Sequence, residues 1–115
     1  MLKTEVARSK AFNIAEVIEY IPNSVVIKSI IKKLTGNISA VSFDSGELMQ
    51  GKTAPFETFI QIIEGTAEVV IEDKSISLDA GQSIIIPAHS RNTIKANEKF
   101  KMLSTLIKSG YEEVS

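Results

Sequence analysis

A chain of 115 residues, 43% hydrophobic and 23% charged, has the length of one domain and can bury one core without disulfides or a structural metal. It contains no cysteine, which excludes zinc ribbons, thiol redox chemistry and a cysteine nucleophile, and fits a reducing compartment. Thirteen basic residues offset fourteen acidic ones, so no basic stripe exists to neutralise phosphates and no nucleic-acid partner is expected.

The N-terminal stretch MLKTEVARSKAFNIAEVIEY carries basic residues without an apolar run of ~7–15 residues behind them, so no secretory signal is expected. Nowhere does the chain approach the ~18 consecutive apolar residues of a membrane span. A cytoplasmic protein without membrane contact is the expectation. Residues 1–10 are polar and unpatterned and read as a loose arm. Ile14, Val17, Ile18 and Ile21 then fall at helical spacing. Asn13 is placed to cap them, with Glu16 three residues on, and Pro22-Asn23 stops the pattern. One short α-helix over about 13–20 is expected.

After that the period becomes two. Ser24–Leu34 is rich in β-branched residues and reads as a strand. Asn37–Asp44 reads as a second, with Ile38 and Ala40 on one face and Val41 and Phe43 on the other after a small slip; Thr35-Gly36 and Ser45-Gly46 punctuate its ends. Further strands are expected at Phe56–Ile63, Ala67–Ile71, Ser75–Leu78, Ser83–Ile86, Asn92–Ala96 and Phe100–Ile107. Gly65 and Gly81 read as turn residues in unusual backbone conformations. Seven to eight short strands at this spacing indicate a sandwich or barrel.

Several strands are apolar on both faces: Phe59-Ile60-Gln61-Ile62-Ile63, Ile84-Ile85-Ile86 and Lys101–Ile107. An antiparallel sheet normally keeps one wet face. A second layer is therefore needed, from the N-terminal segment, from another subunit, or from both. A face-to-face homodimer is favoured, because one short helix is too small to cover three strands and near-zero net charge does little to keep subunits apart.

From Gly46 the spacing becomes specific. Gly46 is followed by Lys52, Ala54, Thr58 and Gly65; Gly81 is followed by Pro87 and Asn92. The run FIQIIEGTAEVVIEDKSISLDAGQSIIIPAHSRNTI resembles small single-domain members of the cupin superfamily in its order of strands and turns, and the resemblance covers about 25–107. It implies an all-β fold, a cupin-type jelly-roll β-barrel with one short N-terminal α-helix. The single domain would comprise an arm and helix over 1–24, the barrel over 25–109 and a flexible tail over 110–115. In that family two His and a Glu of the first motif and a His of the second hold a divalent metal. Here those positions are Lys52, Ala54, Thr58 and Asn92, and His89 stands where the second motif has Gly. An ammonium repels a metal, Ala54 offers no donor, and Thr58 and Asn92 are weak neutral ligands, so neither metal nor cofactor is expected. Glu57 is one residue out of phase and is expected on the opposite face.

Lys52, Thr58, His89 and Asn92 remain as candidate ligand-binding residues at the barrel mouth, suited to a small polar or anionic molecule with Lys52 as the charge. The plainer reading has Lys52 solvated at a strand end and the others satisfying backbone groups. His89 lies in the turn Pro87-Ala88-His89-Ser90-Arg91, and its neighbour Ser90 is not expected to face it. The first functional reading is a metal-free binding or sensing module, or a dimeric scaffold. The alternative is a metal-independent isomerase or lyase with His89 and Lys52 as acid and base. A third is a metal-dependent dioxygenase-type cupin whose ligands lie in another register.

Overall fold

β-branched and aromatic runs between turn residues form nine strands in the computed structural model, which describes residues 6–51 and 53–108. Lys52, the expected tail over 110–115 and the first five residues of the expected arm lie outside the described residues. The strands are β1 (Val25–Lys33), β2 (Gly36–Phe43), β3 (Leu48–Gly51), β4 (Glu57–Glu64), β5 (Thr66–Ile71), β6 (Lys74–Asp79), β7 (Ser83–Ile86), β8 (Asn92–Lys95) and β9 (Phe100–Ile107). Eight coincide with the strands expected, and β3 is an addition. A five-stranded sheet runs β1-β2-β9-β4-β7 and a four-stranded sheet runs β3-β8-β5-β6, all pairs antiparallel, in a jelly-roll arrangement. Among the described residues no helix is long and apolar enough to cross a membrane.

The inner faces of both sheets supply one core: Val41 and Phe43 from β2, Ile60 and Ile62 from β4, Val69 from β5, Ile94 from β8 and Phe100 and Met102 from β9. Phe43 and Phe100 are directly paired across β2 and β9, and their rings stack at 4.5 Å with 13° between planes. Truncation of a buried phenyl ring costs ~3–5 kcal/mol, so this stack is a main anchor of the barrel.

The outer face of the five-stranded sheet carries a second cluster. Ile30 and Ala40 pack there with Ile18, and Ile14, Val17, Val26, Ile31, Ile38 and Leu103 close around them. No slip occurs in β2, because its register with β9 is unbroken and simple alternation sends Ile38 and Ala40 outward and Val41 and Phe43 inward. The irregularities lie elsewhere, at Ile30 in β1 and Ile63 in β4, where the pairing skips one residue.

The expected α-helix is not formed. Its place holds one 3-10 turn over Ile14–Glu16, capped by Asn13, whose Oδ1 accepts the Ala15 N–H at 3.1 Å. The helical carbonyls have been taken by the sheet below. The Lys101 ammonium donates to the Ala15 carbonyl and Ser42 Oγ donates to the Glu19 carbonyl at 2.8 Å. Beyond them the Asn23 N–H donates to Asp44 Oδ2 at 2.7 Å. Three tertiary hydrogen bonds and an apolar underside hold the segment as a strap, and a helix this short has little propensity to oppose them.

Gly65, between β4 and β5, has φ 82°, and a Cβ there would lie 2.7 Å from the Lys99 carbonyl oxygen and 2.8 Å from Phe100 Cβ. Gly81, between β6 and β7, has φ 91° and open space around it. Gly81→Ala should therefore cost only the left-handed backbone penalty, ~1–2 kcal/mol. Gly65→Ala adds a collision with the Phe100 anchor and should cost ~3 kcal/mol or more, read as the difference in urea midpoints.

Candidate functional site

The second motif starts at Gly81, runs through β7 and turns at Pro87, where β7 has ended. Pro87–Arg91 forms the loop into β8, and it is fastened on both sides. The His89 N–H donates to the Ala54 carbonyl at 2.6 Å, which ties the loop to the segment after β3. On the other side the Glu72 carboxylate accepts the Arg91 backbone N–H at 2.9 Å and Arg91 Nε and Nη2 at 3.3 and 3.2 Å, and the Glu72 N–H donates to the Arg91 carbonyl at 2.8 Å. The Arg91 backbone N–H, followed by its guanidinium, holds the Glu72 carboxyl below the usual glutamate range.

Alternation and register place the expected site residues. Thr58 shares the inward parity of Ile60 and Ile62 and pairs with Ile86 and Leu106 at the end of the barrel next to the loop. Asn92 opens β8 opposite Gly51, with Ile71 on its other side. Its amide lies over the Gly51 backbone, in space that a Cβ at residue 51 would occupy. Thr58 and Asn92 thus flank the mouth from opposite sheets. His89 is exposed at its rim with φ 65°, and Lys52 lies outside the described residues. A left-handed conformation at a non-glycine residue costs of order 1–3 kcal/mol. This explains why the related motif has glycine at the position of His89.

The acids that neighbour the motif in sequence, and Ser90, are placed differently. Glu57 pairs with Ile107 on the outer face, in phase with Phe59 and Gln61, as its spacing predicted. Glu64 accepts the Tyr20 hydroxyl at 2.6 Å under the strap. Burial, then the bond to Glu64, pushes the Tyr20 hydroxyl well above the usual phenol range, so it stays a donor. Ser90 Oγ donates to the Pro87 carbonyl at 2.6 Å and does not pair with His89.

A cleft of about 420 Å³ opens beside Asn92, lined by Gln50, Gly51, Val70, Glu72, Arg91 and Thr93. Its charged pair is self-satisfied, which leaves neutral amide and hydroxyl groups to meet a ligand. Sequence reasoning missed this cleft because β3 was not foreseen, and Gln50 and Gly51 belong to it. It also missed an inward row of hydroxyls across three strands, Ser29 on β1, Ser39 on β2 and Ser104 on β9. Ser29 Oγ is buried and finds no hydrogen-bond partner. Only the strand pairing reveals that row.

The donors do not suit the metal that related barrels hold. Ala54 contributes no ligand atom, Thr58 and Asn92 are neutral, and among the described residues no group of three or more His, Cys, Asp or Glu side chains converges.

No protein-family model and no protein of curated function matches the chain. Solved structures do match. A cupin superfamily protein from Desulfitobacterium hafniense superposes with a TM-score of 0.83 at 26% identity, over 93% of this chain and 97% of the other. A conserved protein of unknown function from Streptococcus pyogenes gives a TM-score of 0.85 at 21% identity, over 91% and 92%. A cupin 2 conserved barrel domain protein from Leptotrichia buccalis gives 0.80 at 29% identity, over 84% of this chain and 47% of that one.

Two measurements test the site geometry. Gly51→Ala should evict the Asn92 amide, with a shift of its side-chain NH₂ resonances and a loss of ~1–2 kcal/mol; unmoved resonances would contradict the packing. Glu72 has a folded pKa below its unfolded one, so its contribution is complete above the unfolded value and vanishes as pH falls through the folded value. Wild type should therefore lose stability on acidification from about pH 5 to about pH 3 more steeply than Glu72→Gln does, followed as urea midpoints.

Proposed function

We propose that this chain, a cupin-type jelly-roll barrel, is a binding module that recognises a small polar or anionic molecule without a metal, in the cleft that runs from Asn92 over the outer face of the four-stranded sheet, where Gln50, Val70 and Thr93 point away from the core. The observation that carries the reading is the cleft beside Asn92. It has the volume of a small-molecule site, and its one acid and one base are bonded to each other rather than poised for proton transfer. Gln50, Asn92 and Thr93 line it with neutral hydrogen-bonding groups, and Lys52, next to Gly51 in the sequence, is the cation proposed for a carboxylate.

A second reading, a metal-independent isomerase or lyase using His89 and Lys52, draws on one observation. His89 keeps a left-handed conformation that glycine would adopt more cheaply, and backbone strain of that kind gathers at functional sites. The binding reading is preferred because catalysis of this type needs an acid and a base facing each other, and Glu72 is bonded to Arg91 while Glu57 has the outward parity.

The test is a thermal-shift screen against short-chain carboxylates and neutral polyols. A bound class should raise the melting temperature by several degrees in wild type, and Gln50→Ala or Lys52→Ala should remove most of that shift. Shifts unchanged in both variants would move the site elsewhere. A shift lost in His89→Gln together with turnover of the bound compound would favour the enzyme. A full equivalent of iron, manganese, nickel or zinc in protein purified without chelator would overturn the metal-free reading.

A further inference from the structure

The turn that joins β1 to β2 carries an apolar side chain that the fold does not use. Leu34 and Thr35 form the turn, closed by the pairing of Lys33 with Gly36. Turns of this length are ordinarily built from Gly, Asn or Asp, which serve the backbone there. Leu34 serves neither backbone nor core: it is 96% exposed, the most exposed of the large apolar side chains described. The tip that carries it is held from a third strand. The Lys108 N–H, just past β9, donates to the Thr35 carbonyl at 2.7 Å, and Gly36 lies so close to the Leu106 carbonyl oxygen that a Cβ would collide with it. A leucine is thus presented to water on a supported tip.

Lysines surround it. Alternation sends Lys32 to the inner side of the sheet and Lys33 to the outer, and Lys108 stands beside Thr35. The sequence between Glu19 and Asp44 holds three lysines and no acid, in a chain whose net charge is −1. Among the described residues the first acid in register across the sheet is Glu57, two strands from Gly36. Between them, directly opposite Gly36, Ile107 is 57% exposed and adds a second apolar group. We propose that this tip is a peripheral membrane contact, in which Leu34 enters the boundary of an anionic bilayer while Lys32, Lys33 and Lys108 meet its phosphates. A protruding apolar group ringed by cations selects a lipid surface over other polyanions. A nucleic acid would use the lysines and leave the leucine in water. A protein partner would need a contiguous apolar area to match, and Leu34 is bordered by Lys33 and Thr35. A lipid boundary takes in a single side chain without a preformed pocket, and lysine stems lie along it with their ammonium groups among the headgroups. Among the described residues no helix can span a membrane, and a contact of this kind needs none. With so few groups the association is weak and reversible, because firm anchoring takes a second strong signal such as an acyl chain.

Co-sedimentation with vesicles tests this. Phosphatidylcholine vesicles holding about 30% phosphatidylserine should carry down wild type at low salt, pure phosphatidylcholine vesicles should not, and about 0.5 M salt should release the protein. Lys33→Gln and Lys108→Gln should each lower the partition coefficient about fivefold. Leu34→Ser should lower it by at least as much with the charge unchanged, and all three variants should keep the circular dichroism of wild type. The absence of cysteine allows a second readout. A polarity-sensitive fluorophore on Thr35→Cys should shift to the blue with anionic vesicles, and one on Leu48→Cys, 54% exposed on the other sheet, should not. Wild type that stays in solution overturns the proposal. So does equal binding to neutral vesicles, binding that Leu34→Ser leaves intact, or a blue shift at position 48 and not at 35.

Discussion

The sheet β1-β2-β9-β4-β7 is apolar on both faces, and the rest of the molecule is arranged around that constraint. Exposed apolar area costs about 25 cal/mol for each Å² left in water, so a two-faced sheet must be covered twice. The inner face is covered by the four-stranded sheet, which makes the barrel. Among the described residues the outer face has no second sheet. It receives the segment before β1, and this requirement decides what that segment becomes.

An isolated helix of eight residues is marginal even with good formers, because nucleation is costly and few bonds follow it. The strap instead exchanges internal bonds for external ones: Ala15 and Glu19 carbonyls go to Lys101 and Ser42, while Ile14, Val17 and Ile18 face the sheet. The exchange buries Lys101 to 8% exposure, and a buried ammonium is tolerable only when partnered. It has the Ala15 carbonyl, the Glu64 carboxylate at 3.9 Å and the Tyr20 ring at 5.0 Å. Tyr20 donates in turn to Glu64, and a hydroxyl held well above its usual pKa keeps donating at any physiological pH. The strap is therefore polar where it is fastened and apolar where it packs.

Much of the barrel was readable because its signals are local. Gly65 and Gly81 announce left-handed turns, β-branched runs announce strands, and the regular parity of Thr58 against Glu57 put one inside and the other outside. What escaped depends on partners distant in sequence. The pattern Ile14, Val17, Ile18, Ile21 has helical spacing, and nothing local reveals that Lys101, eighty-six residues later, claims a carbonyl. β3 is a four-residue strand between Gly46 and Pro55, where turn residues hide it, and it is recognisable only by its pairing with β8. The serine row on β1, β2 and β9 requires register, because a bulge at Ile30 decides which side Ser29 faces.

The loop at Pro87–Arg91 separates two requirements that travel together in metal-holding relatives. One is backbone shape, and it persists: residue 89 has φ 65° and its N–H still closes onto the Ala54 carbonyl, even though histidine adopts that conformation less readily than glycine. The other is donor chemistry, to which Ala54 contributes nothing and Thr58 and Asn92 only neutral groups. Asn92 stands opposite a glycine, and its amide fills the space left by the missing Cβ of Gly51. An amide packed on the backbone of a neighbouring strand is held by shape as well as by hydrogen bonding, so a bulkier residue at 51 and an intact Asn92 conformation exclude each other. Positions 51 and 92 are therefore constrained as a pair, because the missing Cβ of the glycine is what lets the amide keep its place.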